Sequence, residues 1–155
     1  MFNTVESRRR RCIIIIYTDA DACPVKQEID NIALMHQLQS YFVSTYAHVS
    51  QNSYYSHNII LDSEAEAVDL YIFNHVKPDD IIVTQDNGLA AMVLEKGAIA
   101  INPRGKTYNK NDIDTLLIGR YEGIQAKRGK TRIKGPPSLK KEDRERFVES
   151  LTKLM

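Results

Sequence analysis

Four consecutive isoleucines, Ile13–Ile16, constrain the fold of this chain more than any other stretch. A run of β-branched residues that is apolar at every position is typical of a strand buried on both faces, as in the middle of a parallel sheet. Pro24 follows eight residues later and suits the first turn of a helix, where its missing N–H group is not needed. The stretch therefore predicts a strand, a short loop and a helix.

The same alternation continues along the chain. Runs of strand-forming residues at 41–46, 57–61, 81–84 and 98–101 are separated by segments whose apolar residues have helical spacing. This order predicts an α/β fold, a three-layer sandwich around a mostly parallel five-stranded sheet. A length of 155 residues is typical of one domain.

We expect residues 12–155 to form that single domain, with a basic loop and a helix at its C-terminal end. Residues 1–11 have no hydrophobic periodicity and end in four arginines, so we expect a disordered extension there.

Membrane insertion and secretion are not expected. No apolar run approaches the ~18 residues of a membrane span. The apolar run after Arg8–Arg11 has six residues, fewer than the ~7–15 of a signal-peptide core. Two cysteines, Cys12 and Cys23, form neither a CxxC pair nor a disulfide framework, which favours a reducing compartment. The sequence therefore predicts a cytoplasmic protein.

Several aspartates are placed where strands end. Asp19 and Asp21 follow the first strand, and Asp86 follows the strand at 81–84. The carboxyl ends of parallel strands meet at one edge of a sheet, where ligands bind. Asp69 borders the apolar stripe of the helix that precedes the strand at 81–84. It can approach the same edge of the sheet if that helix leans over the edge.

Converging carboxylates repel one another unless a cation is bound, and they are suitable ligands for Mg²⁺ or Mn²⁺. The predicted metal ligands are Asp19, Asp21, Asp69 and Asp86. Other interpretations remain open: one aspartate of the first loop caps the helix while the other is solvated, Asp86 caps its own helix, and Asp69 pairs with a lysine.

The charge distribution is strongly asymmetric. Residues 12–103 carry three Lys/Arg against twelve Asp/Glu, a net charge of −9, whereas residues 104–146 carry thirteen against six, a net charge of +7. A basic surface beside an acidic pocket indicates a polyanionic partner, although two ordinary solvated faces would have the same composition. The predicted substrate-binding residues are Arg104, Lys127, Arg128, Lys130 and Arg132. Arg104 follows the last strand and would clamp a phosphate, unless it is a solvated turn residue.

Four motifs resemble the YaiI/YqxD family: DADACPVK at 19–26, TQDNGLA at 84–90, NPRG at 102–105, and the tail from Gly135 to Phe147. The resemblance covers residues 12–155. It implies a PIN-like domain in which strand-end acids bind Mg²⁺ or Mn²⁺ for phosphodiester cleavage. Asp19 and Asp86 match the first acid and the T-x-D acid of such sites, Asp69 matches the helix-borne acid best, and Asp21 is a family residue.

The leading hypothesis is therefore a metal-dependent PIN-like nuclease, with RNA favoured over DNA, or a nucleic-acid-binding protein derived from one. Its catalytic residues would be Asp19, Asp69 and Asp86. Two alternatives remain. One is a haloacid-dehalogenase-type phosphatase with Asp19 as nucleophile and Asp21 as general acid/base. The other is a non-catalytic RNA-binding or scaffold protein.

Overall fold

The structure is a computed structural model that describes residues 13–45, 53–62, 66–111 and 138–155. Within these ranges the chain forms five strands and four α-helices. The strands are β1 (Ile15–Asp19), β2 (Gln39–Thr45), β3 (His57–Leu61), β4 (Ile81–Val83) and β5 (Ile99–Ile101). The helices are α1 (Lys26–Met35), α2 (Glu66–His75), α3 (Asn87–Glu95) and α4 (Lys141–Lys153).

The five strands form one parallel sheet in the order β3-β2-β1-β4-β5. This confirms the predicted α/β three-layer architecture. The chain builds outward from β1 through β2 to β3 and then crosses back to place β4 on the other side of β1. The strand order therefore reverses between β1 and β4, and in open parallel sheets ligands bind at the carboxyl end of such a switch point.

Side chains alternate between two cores, one on each face of the sheet. On one face Ile16 and Phe42 pack with α1 and with Phe147 of α4. On the other face Tyr17 packs with residues of α2 and α3. β1 is central and contributes to both cores, as its isoleucine run predicts.

The beginning of β1 differs from the sequence prediction. Pairing with β2 and β4 covers Ile15–Asp19, and Ile13 lies before the strand with 61% of its surface exposed. The strand is thus shifted by two residues toward its carboxyl end, and Asp19 becomes its last residue.

Two buried aspartates at the amino edge of the sheet are structural. Asp30 accepts hydrogen bonds from the backbone N–H groups of Tyr55 and Ser56, at 3.0 and 2.7 Å. Asp80 accepts from the N–H groups of Ile15 and Lys77, at 3.2 and 2.9 Å. These bonds compensate the cost of burying each carboxylate. The amino-edge acids are therefore committed to the fold.

The C-terminal helix α4 joins the loops after β1 and β5. Arg104, after β5, pairs with Asp143 of α4 at 2.9 Å. Arg144 of α4 donates to the carbonyl of Pro24 at 2.7 Å and to Glu28 of α1 at 3.0 Å. α4 therefore holds together two loops that meet at the carboxyl edge of the sheet.

Several expectations lie outside the described residues. They concern the extension at 1–11 and the basic loop at 127–137 with its four predicted substrate-binding residues. The single-domain boundary at 12–155 stays a prediction for the same reason. In the part of the chain that the structure covers, no helix has the length and apolar character needed to cross a membrane.

We predict that Gly105→Ala destabilises the fold. Gly105 has φ +92°, and a Cβ atom there would lie 2.8 Å from the backbone carbon and oxygen of Arg146 in α4. Backbone strain and overpacking together should lower the free energy of unfolding by about 2 to 4 kcal/mol. Urea unfolding measures this change.

Gly97→Ala is the matched control. Gly97 also has a positive φ, +84°, but its added Cβ would meet only Pro78 at an ordinary 3.5 Å. The Gly97→Ala substitution should therefore lower the free energy of unfolding by about 1 kcal/mol, from backbone strain alone. Equal losses in the two variants would contradict tight packing of Gly105 against α4.

Candidate functional site

Asp19 lies at the switch point of the sheet, as the last residue of β1. Its Oδ2 atom accepts a hydrogen bond of 3.1 Å from Thr84 Oγ1, directly after β4. The side chain of Thr84 is buried, so this bond fixes the carboxylate with respect to the sheet. Asp19 Oδ1 accepts no hydrogen bond from the described residues, which leaves one oxygen of a fixed carboxylate available to a ligand.

The pKa of Asp19 is raised above its ordinary value. Burial is the largest cause, because it disfavours the charged form, and the negative charges of Asp21 and Asp86 raise the pKa further. The hydrogen bond from Thr84 acts in the opposite direction. The fold therefore brings three of the four predicted acids close enough to interact electrostatically.

Asp21 is positioned by β2. Its Oδ1 atom accepts from the backbone N–H of Thr45 at 2.8 Å and from the Thr45 hydroxyl at 3.3 Å. Neither Asp19 nor Asp21 caps a helix through its side chain, since Val25 occupies the N-cap of α1. The helix-cap interpretation of the first loop is therefore wrong.

Asp86 is the N-cap of α3, which confirms the capping interpretation. Its Oδ1 atom accepts from the N–H groups of Gly88 and Leu89 at 2.8 and 3.3 Å. Its own N–H donates to Thr84 Oγ1 at 3.0 Å. The Thr84 hydroxyl thus connects Asp19 with the loop that carries Asp86. Thr84 was not among the predicted site residues, although the T-x-D motif contains it.

A cavity of 160 Å³, here called the acidic cavity, opens beside these residues. Its walls include Asp19, Asp21, Cys23, Gln85 and Pro103. Burial raises the pKa of the Cys23 thiol to about 11, so this thiol is protonated at neutral pH. A protonated thiol is a poor nucleophile and metal ligand. The chemistry of the acidic cavity therefore rests on its carboxylates.

The donor set fits a hydrated hard cation better than an enclosed metal. Across the described ranges, no group of three or more His, Cys, Asp or Glu side chains could hold a metal ion by itself. Mg²⁺ usually keeps several waters and uses one or two carboxylates together with substrate phosphates. The open oxygen of Asp19 meets that requirement.

Asp69 occupies a different place from the other predicted ligands. It is a half-buried residue of α2. It does not line the acidic cavity, and its charge is not among those that raise the pKa of Asp19. Its role as a ligand and catalytic residue stays a prediction.

Arg104 lies at the same edge of the sheet, as expected, but its guanidinium contacts Asp143 of α4. Its position in the NPRG turn is fixed by Asn102, whose Oδ1 accepts from the backbone N–H of Arg104 at 2.9 Å. Arg104 therefore contributes to docking α4. Its contact with phosphate stays a prediction. The predicted substrate contacts of Lys127, Arg128, Lys130 and Arg132 also stay predictions.

Comparison with known proteins agrees with the motifs. The sequence profile of the YaiI/YqxD family, which is described as uncharacterised, matches residues 17–155. A UPF0178 protein of Halalkalibacterium halodurans is 43% identical over 143 residues, which cover 92% of this chain and 91% of the relative. A UPF0178 protein of Bacillus cytotoxicus is 42% identical and covers 90% of this chain and 91% of the relative. No solved structure was found to match the chain.

We predict that Asp19→Asn stabilises the metal-free protein at pH 7. A raised folded pKa means that the folded state binds more protons than the unfolded state between the unfolded and folded pKa values. Wild-type stability therefore falls as the pH rises through this interval, whereas an asparagine does not ionise. The pH-dependent part of the stability difference between the two proteins should vanish once the pH lies below the unfolded pKa, about 3.9.

Thermal unfolding at several pH values measures this difference. Asp79→Asn is the matched control, because Asp79 is exposed at a turn on the opposite edge of the sheet. Its φ of +73° is one that asparagine adopts readily. A destabilised Asp19→Asn protein at pH 7 would contradict the electrostatic conflict described here.

Proposed function

This chain belongs to the YaiI/YqxD family, and we propose that it is a divalent-cation-dependent nuclease that hydrolyses phosphodiester bonds in RNA. One observation carries the proposal: Asp19 stands at the switch point with an open oxygen beside a cavity, under the charges of two further carboxylates. An arrangement that penalises its own negative charge favours a bound cation.

Each residue has a distinct role in this proposal. Asp19 binds Mg²⁺ or Mn²⁺ through Oδ1, and Thr84 holds the other oxygen in place. Asp21 and Asp86 supply negative charge around the cation, directly or through its waters. A bound divalent cation would supply an activated water and neutralise charge on the scissile phosphate. Asp69 is retained as a catalytic acid on the family resemblance alone.

The substrate assignment is supported by charge. Arg104 lines a second cavity that adjoins the acidic cavity at Gln85 and Pro103, and it would orient a phosphate group if its contact with Asp143 rearranged. The basic residues Lys127, Arg128, Lys130 and Arg132 would bind the nucleic-acid backbone, with an affinity that falls as salt concentration rises. A cytoplasmic location is part of the proposal and agrees with the free Cys23 thiol.

The phosphatase alternative receives less support from the geometry. As general acid/base, Asp21 would have to exchange a proton with a group bound at Asp19. Its Oδ1 atom instead accepts two hydrogen bonds from Thr45, which hold this oxygen against β2. The third hypothesis, RNA binding without catalysis, differs from the proposal only in the absence of turnover.

The test is cleavage of single-stranded RNA with and without Mn²⁺. We expect the wild-type protein to cleave only when the metal is present. Asp19→Asn should reduce the rate at least about a hundredfold, because one of the few protein ligands of the cation loses its charge. Asp79→Asn should cleave at the wild-type rate, since it removes a carboxylate of the same size far from the site.

Cleavage that persists in Asp19→Asn would show that the site is assigned wrongly. RNA binding by the wild-type protein without any cleavage would favour the non-catalytic alternative. Capture of an aspartyl-phosphate analogue on Asp19 would favour the phosphatase.

A further inference from the structure

A second cavity lies directly beside the acidic cavity. It has a volume of 270 Å³, and the two cavities share Gln85 and Pro103 as wall residues. It is formed between the loop that enters α3 and the NPRG turn after β5. A ligand of more than a few atoms that is bound at Asp19 can therefore extend into this second cavity.

The side chains of the second cavity differ in kind from those of the acidic one. Three carboxamides line it, from Gln85, Asn87 and Asn102, so we call it the carboxamide cavity. The phenol ring of Tyr108 and the ring of Pro103 add flat apolar surface. No carboxylate from the described residues lines it. Arg104 also lines it, with its guanidinium paired to Asp143. The lining therefore changes from carboxylates in the acidic cavity to carboxamides and one paired cation in the second cavity.

Two parts of the wall are held rigidly. Asn102 Oδ1 accepts from the backbone N–H groups of Arg104 and Lys106 at 2.9 and 3.0 Å. Tyr108 is buried, and its N–H donates to the carbonyl of Ala100 at 2.9 Å. Preorganised walls reduce the entropy lost when a ligand binds.

Asn87 supplies the adaptable part. It directly follows the N-cap Asp86, and its side chain makes no hydrogen bond with the described residues. Its amide is therefore available to a ligand. Removing this amide should leave the fold intact, because Asp86 itself caps α3.

We propose that the carboxamide cavity receives the nucleobase of the nucleotide whose phosphate lies at Asp19. Carboxamides match the paired donor and acceptor atoms on the edges of bases, and flat side chains stack on their faces. Arg104 also lines this cavity, but its guanidinium would meet a phosphate only after leaving Asp143, whereas the carboxamides and flat rings are already placed to receive a base. The inference rests on the proposed function, since it assigns the base of the same substrate.

The experiment compares nucleoside 5′-monophosphates of the four RNA bases with ribose 5-phosphate, which lacks only the base. Binding to the full chain is measured by calorimetry with and without Mn²⁺. We expect at least one nucleotide to bind about tenfold more tightly than ribose 5-phosphate. Asn87→Ala and the same-sized Asn87→Asp should abolish that preference, because both lose the amide donor.

Asn31→Ala is the control, because Asn31 is an exposed amide on α1 whose one side-chain hydrogen bond within the described residues is with Gln27. It should keep the preference. Equal binding of ribose 5-phosphate and all four nucleotides, or a preference that survives both Asn87 variants, would overturn the inference.

The two proposals fail differently. Mn²⁺-dependent phosphate binding without any base preference would overturn the base cavity and leave the metal-dependent function standing. A base preference that needs Asn87 but does not respond to Mn²⁺ would support the base cavity and contradict the metal-dependent function.

Discussion

The hydroxyl of Thr84 connects the two strands between which the sheet reverses its order. It donates to Asp19 at the end of β1 and accepts from the N–H of Asp86 in the loop after β4. Because Thr84 is buried, this connection is shielded from water and holds both loops at a fixed separation. The positions of Asp19, of Asp86 and of the start of α3 depend on this connection.

This arrangement holds the carboxylates of Asp19, Asp21 and Asp86 close together, where their negative charges repel one another. The pKa of Asp19 is raised by burial and by two neighbouring carboxylates, so its ionised form is less favourable than that of an exposed, isolated aspartate. The buried acids at the amino edge differ from Asp19, because Asp30 and Asp80 each accept hydrogen bonds from two backbone N–H groups. The fold gives its structural acids hydrogen-bond donors but leaves one oxygen of Asp19 without one among the described residues. Ligand binding explains this open oxygen better than a contribution to stability does.

The C-terminal helix ties this site to the rest of the chain. Gly105 lets the NPRG turn lie against the backbone of α4, while Asp143 and Arg144 of that helix contact the turn and the loop after β1. The same turn provides walls for both cavities through Pro103. Docking of α4 and the shape of the site are therefore coupled, although α4 carries none of the predicted metal ligands.

Local sequence patterns were sufficient to predict the sheet, because an all-apolar strand and its following helix are determined within a few residues. They also placed Asp19 and Asp86 at one edge, since parallel strands end together. They could not show that Asp21 is held by Thr45, or that Arg104 contacts Asp143, because those partners are 24 and 39 residues away. Nor could they distinguish the buried Asp80 from the exposed Asp79, since adjacent turn aspartates look alike in a sequence.

The central claim is that the open oxygen of Asp19 binds a divalent cation. A crystal structure of the protein soaked in Mn²⁺ tests it most directly, because anomalous scattering locates the metal independently of any activity. The account predicts an anomalous peak about 2.1 Å from Asp19 Oδ1, at the mouth of the acidic cavity. A fully occupied Mn²⁺ elsewhere, or an Asp19 side chain that contacts only protein at millimolar Mn²⁺, would contradict it.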